Sequence, residues 1–211
     1  MRFLVTAGPT QEPIDPVRYI TNRSSGRMGY AIAEAAAEAG HTVTLVSGRV
    51  HLAPPPTVNL VGVVTAEEMY AAVMEKVSGH DVLVMCAAVA DYRPADYSAE
   101  KIKKQEGRIS LELVRTPDIL RSLPRERKVF VVGFAAETND IELNAKKKLE
   151  QKNLDMIVAN DVSRSDVGME CADNEVTIFF RDGKTKTIAR TSKKNIAREL
   201  VKIISNTKKN V

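Results

Sequence analysis

The sequence predicts an α/β fold: a Rossmann-like, doubly wound, mostly parallel sheet with antiparallel additions. Three observations carry that expectation. Near-continuously apolar, β-branched runs alternate with segments of helical periodicity, the pattern of a parallel sheet covered on both faces. The first run is followed by a glycine-bearing loop that opens a helix, as at the start of a doubly wound sheet. The length of 211 residues, 44% of them hydrophobic, suffices for a substantial core, so residues 1–211 are expected to form a single domain.

RFLVTA (2–7) is the first strand, and the alanine-rich stretch after ITNRSSGRMG predicts a helix over 26–39, where small side chains lose little entropy. TVTLVS (42–47) and VNLVGVV (58–64) are strands joined by the stiff connector LAPPPT (52–57). A helix over 66–78 precedes the strand DVLVMCAAV (81–89). KVFVVGFAAE (128–137), a helix over 140–152 and DMIVAN (155–160) complete the alternation. Two segments break it. RISLELV (108–114) alternates polar with apolar, and NEVTIFFRDGKTKTIAR (174–190) carries Asp182-Gly183, a hairpin turn signal; both are expected as antiparallel additions. SKKNIARELVKIISNTKK (192–209) sets Ile196, Leu200, Ile203 and Ile204 behind Ser192 as N-cap, an amphipathic helix that ends the domain.

Thirty-one Lys plus Arg against 27 Asp plus Glu give a net charge of +4 and a pI near 9.0. That balance suits either a nucleic acid or a small anion. Aromatic residues make up only 5% and tryptophan is absent, so stacking platforms for a polymer are scarce and a small anionic substrate is favoured over nucleic acid. No run approaches the ~18 apolar residues of a membrane span, and the N-terminus lacks a signal-peptide pattern. A cytoplasmic protein without a membrane partner is expected. Cys86 and Cys171 form no CxxC pair, and His41, His51 and His80 stand singly, which argues against a disulfide framework and a histidine metal site.

The loop ITNRSSGRMG raises the functional question. A dinucleotide fingerprint would place G-x-G-x-x-G directly after the first strand, whereas here only Gly26 and Gly29 survive, behind a long excursion over residues 7–26. Ser24, Ser25 and Gly26 can be read as a helix cap, but that leaves Arg18, Asn22 and Arg23 at the same mouth unexplained. An NADP-dependent reductase, with Arg49 near a phosphorylated ribose, stays open on fold grounds, as does a basic nucleic-acid-binding module.

Other polar residues fall at the carboxyl ends of the strands, where parallel sheets bind ligands. Asp91 and Arg93 follow the 81–89 strand, and Lys101, Lys103 and Lys104 lie in the next loop. Thr116 as N-cap and Pro117 at the first helical position begin a short helix that offers free N–H groups to an anion. Gly133 and its neighbouring alanines permit close approach of a flat ring beside Phe134, and Lys148 and Lys152 share a helix face. Their convergence on one sheet edge points to a polyphosphate.

The strings IDPVRYITNRSSGRMG, AAVADYRP, EKIKK, TPDIL, VVGFAAET and ANDV, in order after the LVTAGPT start, resemble phosphopantothenoylcysteine synthetase, the second activity of the bacterial bifunctional coenzyme A biosynthesis flavoprotein. The resemblance implies a CTP-dependent ligase that joins 4′-phosphopantothenate to L-cysteine through an acyl-cytidylate. It implies Asn22 and Lys101 as catalytic residues. It implies CTP contacts at Met85, Cys86, Ala87, Asp91, Lys101, Pro117, Asp118, Ile119, Leu120, Phe134, Lys148 and Lys152. The substrate mouth is then formed by Arg18, Asn22, Ser24, Ser25 and Gly26. Mg²⁺ is expected with CTP, and a homodimer through RISLELV and NEVTIFFRDGKTKTI. Because Met1 stands at the first strand, no flavin is expected in this chain, which is either stand-alone or one half of a fusion with a flavin-dependent decarboxylase.

Overall fold

The computed structural model describes residues 1–104, 106–161 and 173–209. Val162 of the ANDV string and Cys171 lie outside the described residues. The elements are β1 (Arg2–Ala7), β2 (Gln11–Pro13), β3 (Tyr19–Thr21), α1 (Arg27–Glu38), β4 (Thr42–Ser47), β5 (Asn59–Gly62), α2 (Ala66–Lys76), β6 (Val82–Met85), β7 (Tyr92–Pro94), β8 (Leu113–Arg115), α3 (Ile119–Ser122), β9 (Phe130–Glu137), α4 (Ile141–Gln151), β10 (Met156–Asp161), β11 (Asp173–Phe180), β12 (Thr185–Ser192) and α5 (Lys193–Lys209).

The main sheet has the order β12-β11-β10-β9-β6-β1-β4-β5. Strands from β10 to β5 pair parallel, and β11 and β12 join antiparallel through the hairpin expected at Asp182-Gly183. The chain winds from β1 outward to β4 and β5, then returns to β6 on the other side of β1. A switch point therefore falls between β1 and β6.

Both faces of β1 are buried: Phe3, Val5 and Ala7 enter one cluster with α1 and α5, and Leu4 enters the other with α2 and α4. Helix α1 reaches the sheet closely because its buried positions are mostly alanine, with Gly29 at the closest approach; a Cβ there would lie 2.5 Å from Ala7 Cβ and 2.9 Å from the Thr6 carbonyl oxygen. Helix α5 buries Ile196, Leu200, Ile203 and Ile204 as its periodicity requires, and Ser192 Oγ caps it by accepting from Asn195 N at 3.3 Å. Among the described residues no helix is long and apolar enough to cross a membrane.

Three expectations are corrected. The 81–89 strand stops at Met85, because the N–H groups of Cys86 and Ala87 turn to Thr6 Oγ1, each at 3.1 Å, and leave the ladder. RISLELV supplies only the start of β8, which pairs with β7 as a separate two-stranded ribbon. The short helix begins at Ile119 with Asp118 as its N-cap, since the Thr116 hydroxyl is committed to the Ala90 carbonyl at 2.6 Å. The β2–β3 hairpin was not anticipated. It is fixed to α2 by the buried Glu12, whose Oε1 accepts from Ala66 N at 2.9 Å, a carboxylate at a helix N-terminus.

Gly29→Ala is expected to destabilise the fold by about 2–3 kcal/mol, since the colliding atoms include backbone of the central strand. A urea titration should show a lower midpoint at unchanged slope; an unchanged midpoint would mean that α1 is free to move away from β1.

Candidate functional site

A cavity of about 850 Å³ opens at the carboxyl edge of the sheet, over the switch point. Its first wall is the segment Asn22–Gly29. Gly26 has φ 74°, a left-handed conformation that favours glycine, and an added Cβ would meet Val50 Cγ1 at 2.8 Å. No side chain caps α1 and its first turn carries no acidic residue, so its N-terminal N–H groups and the positive end of its dipole face the opening. The reading of Ser24 and Ser25 as caps is therefore replaced by a local turn, in which Ser24 Oγ accepts from Gly26 N at 3.3 Å. Asn22 spans the cavity floor: its Nδ2 donates to the carbonyls of Ala88 at 3.2 Å and Val89 at 3.1 Å.

The floor is Met85, Cys86 and Ala87, held by the buried Thr6 hydroxyl. Burial pushes the Cys86 thiol up to about 12, with Lys193 pulling weakly the other way. It stays protonated at neutral pH and is no nucleophile.

The opposite wall comes from Asp91, Thr116, Pro117 and the start of α3. Asp118 caps α3 by accepting from Arg121 N at 3.1 Å, and it also pairs with Lys152 Nζ and, at 3.6 Å, with Arg121 Nε. Lys148 pairs with Glu137 at 2.6 Å. Both lysines are thus pre-positioned on the cavity wall, each beside a carboxylate that fixes its place and offsets part of its charge.

Phe134, Ala135 and Ala136 complete the site along β9. Gly133 does not: the space a Cβ would occupy there belongs to Leu154, whose Cδ1 would lie 2.6 Å away, so this glycine serves sheet–helix packing. The far end of the cavity is Asn160, Asn174, Val176 and Lys193, none of them anticipated. The sequence signals were Asn160 within the ANDV string and a lysine directly after the Ser192 cap.

Arg18 and Lys101 do not line this cavity, and neither does Arg93. Arg18 instead pairs with Asp15, Nε to Oδ2 at 3.0 Å, and its guanidinium also donates to the Ile102 carbonyl at 2.9 Å. Ile102 N donates back to Asp15 Oδ2 at 3.1 Å. The two side chains clamp the EKIKK loop to the hairpin next to Lys101, which is exposed. The Arg18 guanidinium beside Asp15 holds its carboxyl well below the usual carboxylate range, helped by the N–H groups of Val17, Ile102 and Arg18.

Residues 1–207 match the family described as DNA/pantothenate metabolism flavoprotein C-terminal domain. The chain is 50% identical over 206 residues to the coenzyme A biosynthesis bifunctional protein CoaBC of Vibrio vulnificus (strain YJ016), covering 96% of this chain and 51% of that one. It is 47% identical over 204 residues to the CoaBC protein of Bacillus subtilis (strain 168), covering 96% and 50%. The chain spans about half the length of these curated relatives. It superposes on the crystal structure of the C-terminal domain of a coenzyme A biosynthesis bifunctional protein CoaBC with a TM-score of 0.85 at 44% identity, covering 100% of this chain and 96% of that one. The DNA/pantothenate metabolism flavoprotein from Streptococcus pneumoniae superposes with a TM-score of 0.83 at 25% identity, covering 98% and 99%.

The depressed Asp15 carboxyl contributes stability that is present above its unfolded pKa of about 4 and is lost as pH falls towards its folded value. Asp15→Asn should therefore flatten the decline in melting temperature on acidification below about pH 4. It should also speed amide exchange at Ile102 by at least about 10-fold while β1 and β6 stay protected. Unchanged exchange at Ile102 would show that the loop is held by other contacts.

Proposed function

The chain belongs to the family of DNA/pantothenate metabolism flavoprotein C-terminal domains, and from that membership we propose that it is a CTP-dependent phosphopantothenate–cysteine ligase of coenzyme A biosynthesis. The observation that carries the reading is the composition of the cavity. Asn22, Met85–Ala87, Asp91, Pro117–Leu120, Phe134, Lys148 and Lys152 come together from six parts of the chain, beside an uncapped helix N-terminus and without an activated nucleophile.

In the proposed reaction the carboxylate of 4′-phosphopantothenate attacks the α-phosphorus of CTP. The bond to the bridging oxygen of the β-phosphate breaks, and pyrophosphate leaves. The amine of cysteine then attacks the acyl carbon of the cytidylate, CMP leaves with the electron pair of the acyl–oxygen bond, and the amine loses a proton as the amide forms. Because the substrate carboxylate is the nucleophile, the protein contributes position and charge. Lys148 and Lys152 suit nucleotide contacts, and the open N–H groups of α1 suit a phosphoryl or acyl oxygen. The Nδ2 of Asn22 holds the Ala88–Val89 backbone at the cavity floor, and its Oδ1 is proposed to accept from the incoming amine. Lys101, on the clamped loop, is proposed to close over the nucleotide, neutralise developing charge and exclude water from the mixed anhydride.

Mg²⁺ fits this site as a passenger on the nucleotide. Among the described residues no three ligating side chains cluster, so triphosphate oxygens would supply most of its coordination, with Asp91 as the carboxylate at hand. The metal would neutralise charge on the triphosphate. A cytoplasmic homodimer is proposed as well, supported by exposed Val17, Tyr19, Tyr92, Tyr97, Ile109 and Leu113 on and around the two small ribbons. A flavin-dependent decarboxylase, fused or separate, is the proposed consumer of the product.

Turnover of CTP, 4′-phosphopantothenate and cysteine should release CMP and pyrophosphate in equal amounts; CDP with orthophosphate would overturn the mechanism. Lys101→Gln should slow pyrophosphate release by roughly 10²-fold, the scale of one lost electrostatic contact in the transition state. Wild-type release would make Lys101 an ordinary surface lysine.

Asn22→Asp sets a carboxylate against two carbonyl oxygens and should still bind CTP and release some pyrophosphate, yet stall before the amide. Quenched single-turnover chromatography should then find accumulated acyl-cytidylate. A normal rate of amide formation would remove Asn22 from the second step.

A further inference from the structure

We propose that Thr10 is a positioning residue for the amide-forming half of the reaction: its side chain sets how Asn22 sits over the backbone of residues 88–90. The inference rests on the ligase reading for the step that Asn22 serves. Its geometry comes from the course of the chain just beyond β1.

Past Ala7 the first strand goes on pairing, irregularly, with the segment that follows β6. Pro9 and Ala88 form a parallel bridge, in which Ala88 N donates to the Gly8 carbonyl at 2.9 Å and Thr10 N donates to the Ala88 carbonyl at 3.3 Å. In a regular parallel ladder the next donor, the Ala90 N–H, would go to the Thr10 carbonyl. Here it goes to the side chain instead: Ala90 N donates to Thr10 Oγ1 at 3.0 Å. The Thr10 carbonyl accepts from the Thr21 hydroxyl at 2.7 Å. The Thr10 hydroxyl thus stands in for its own carbonyl, and the carbonyl it frees holds the last residue of β3.

Asn22 follows Thr21 directly; both are exposed, whereas Thr10 is fully buried. The Asn22 Nδ2 donates to the carbonyls of Ala88 and Val89, so the Ala88 carbonyl receives Asn22 and Thr10 N together. A closed circuit of hydrogen bonds therefore runs from Thr10 to Thr21, along the chain to Asn22, across to Ala88 and back to Thr10. On its far side the Thr116 hydroxyl holds the Ala90 carbonyl at 2.6 Å, which keeps residues 88–90 from following any shift of Asn22. The circuit fixes the plane of the Asn22 amide and hence the direction of its Oδ1. Thr10 does not line the cavity, so its effect on the reaction passes through Asn22.

Removing the hydroxyl leads to one particular rearrangement. In Thr10→Val the Ala90 N–H turns to the carbonyl of residue 10, the partner a regular ladder would give it, and displaces the Thr21 hydroxyl. No buried N–H is left without an acceptor, so the sheet and the cavity floor persist. What is lost is the tether at Thr21 that orients the neighbouring Asn22 amide. Attack of the substrate carboxylate on the α-phosphorus, served by charge on the lysine wall, feels little of this. Attack of the cysteine amine on the acyl carbon, in which Asn22 Oδ1 is proposed to accept from that amine, feels most of it.

The test follows the two half-reactions separately on the whole chain, by quenched single turnover: pyrophosphate release from CTP and 4′-phosphopantothenate, then amide formation on addition of cysteine. Thr10→Val should slow amide formation by about 10-fold and leave pyrophosphate release within about threefold of wild type. Thr10→Ser, which keeps the hydroxyl, should restore amide formation to within about threefold. Thr21→Val should show the same selective loss, and the double variant should be no slower than Thr10→Val, because both substitutions cut one link. Equal slowing of both steps, a wild-type amide rate in Thr10→Val, or losses that add in the double variant would each overturn the proposal. Should Thr10→Val not fold, Thr21→Val at its exposed strand end decides, and a wild-type amide rate there overturns the proposal. If the wild type forms no amide at all, the ligase reading fails by itself. The placement of Asn22 is then judged from its side-chain amide resonances: Thr10→Val should move both Nδ2 protons towards free-amide values, and unmoved resonances overturn the proposal.

Discussion

The hydroxyl of Thr6 sits fully buried at the end of the central strand, and the geometry of the site follows from what it does there. It accepts from the N–H groups of both Cys86 and Ala87 and donates to the Met85 sulfur at 3.7 Å. The backbone of β6 is thereby drawn off its ladder with β1 four residues before its apolar run ends. Without that diversion Cys86 to Val89 would continue as strand and fill the space over the switch point. The cavity exists because one β-branched polar residue replaces an aliphatic one in a strand that is otherwise apolar. The next contacts in the series, Ala88 N to the Gly8 carbonyl at 2.9 Å and Ala90 N to Thr10 Oγ1 at 3.0 Å, keep the diverted segment beside β1 instead of releasing it to solvent. A parallel sheet with a rigid gap at its carboxyl edge results.

Around that gap the protein arranges charge without reactive side chains. Open helix N–H groups and lysines fixed by neighbouring carboxylates are means of holding anions, and Cys86 in the cavity floor is kept neutral by burial. Such a site suits chemistry in which the substrates themselves carry nucleophile and leaving group. Specificity then depends on backbone placement, which is set by Gly26 at φ 74° and by the Asn22 bridge to the 88–89 carbonyls.

What the sequence makes legible and what it hides divide along physical lines. The six parallel strands, their helices and the β11–β12 hairpin are legible because burial on one or two faces imposes an apolar pattern that local reading detects. The β2–β3 hairpin is not, since its strands are three residues long and are stabilised by Glu12 at the start of α2, a partner 54 positions away. Asp15 and Lys193 are hidden for the same reason: a charged side chain is read as exposed until the fold shows what surrounds it. Gly133 was misread because a glycine signals only that something approaches; here it is Leu154 and not a ring. Most residues expected at the site do line the cavity, because they lie at strand ends, which topology gathers at one edge. Arg18 and Lys101 lie on excursions between strands, whose course no strand pattern determines.

The winding order has a consequence for how the molecule is made. Strand β1 pairs with β4 on one side and with β6 on the other, so a chain emerging from the ribosome can complete only half of its central pairings until residues 82–85 have appeared. Until then β1 carries a bare apolar edge, and the Thr6 hydroxyl has no N–H groups to receive. That interval, some 35 residues of synthesis between the arrival of β4 and of β6, is when the nascent sheet is most open to pairing with a foreign strand. Substitutions that slow the closing of β6 onto β1 therefore act first on the yield of folded protein in the cell, before any effect on the finished site is felt.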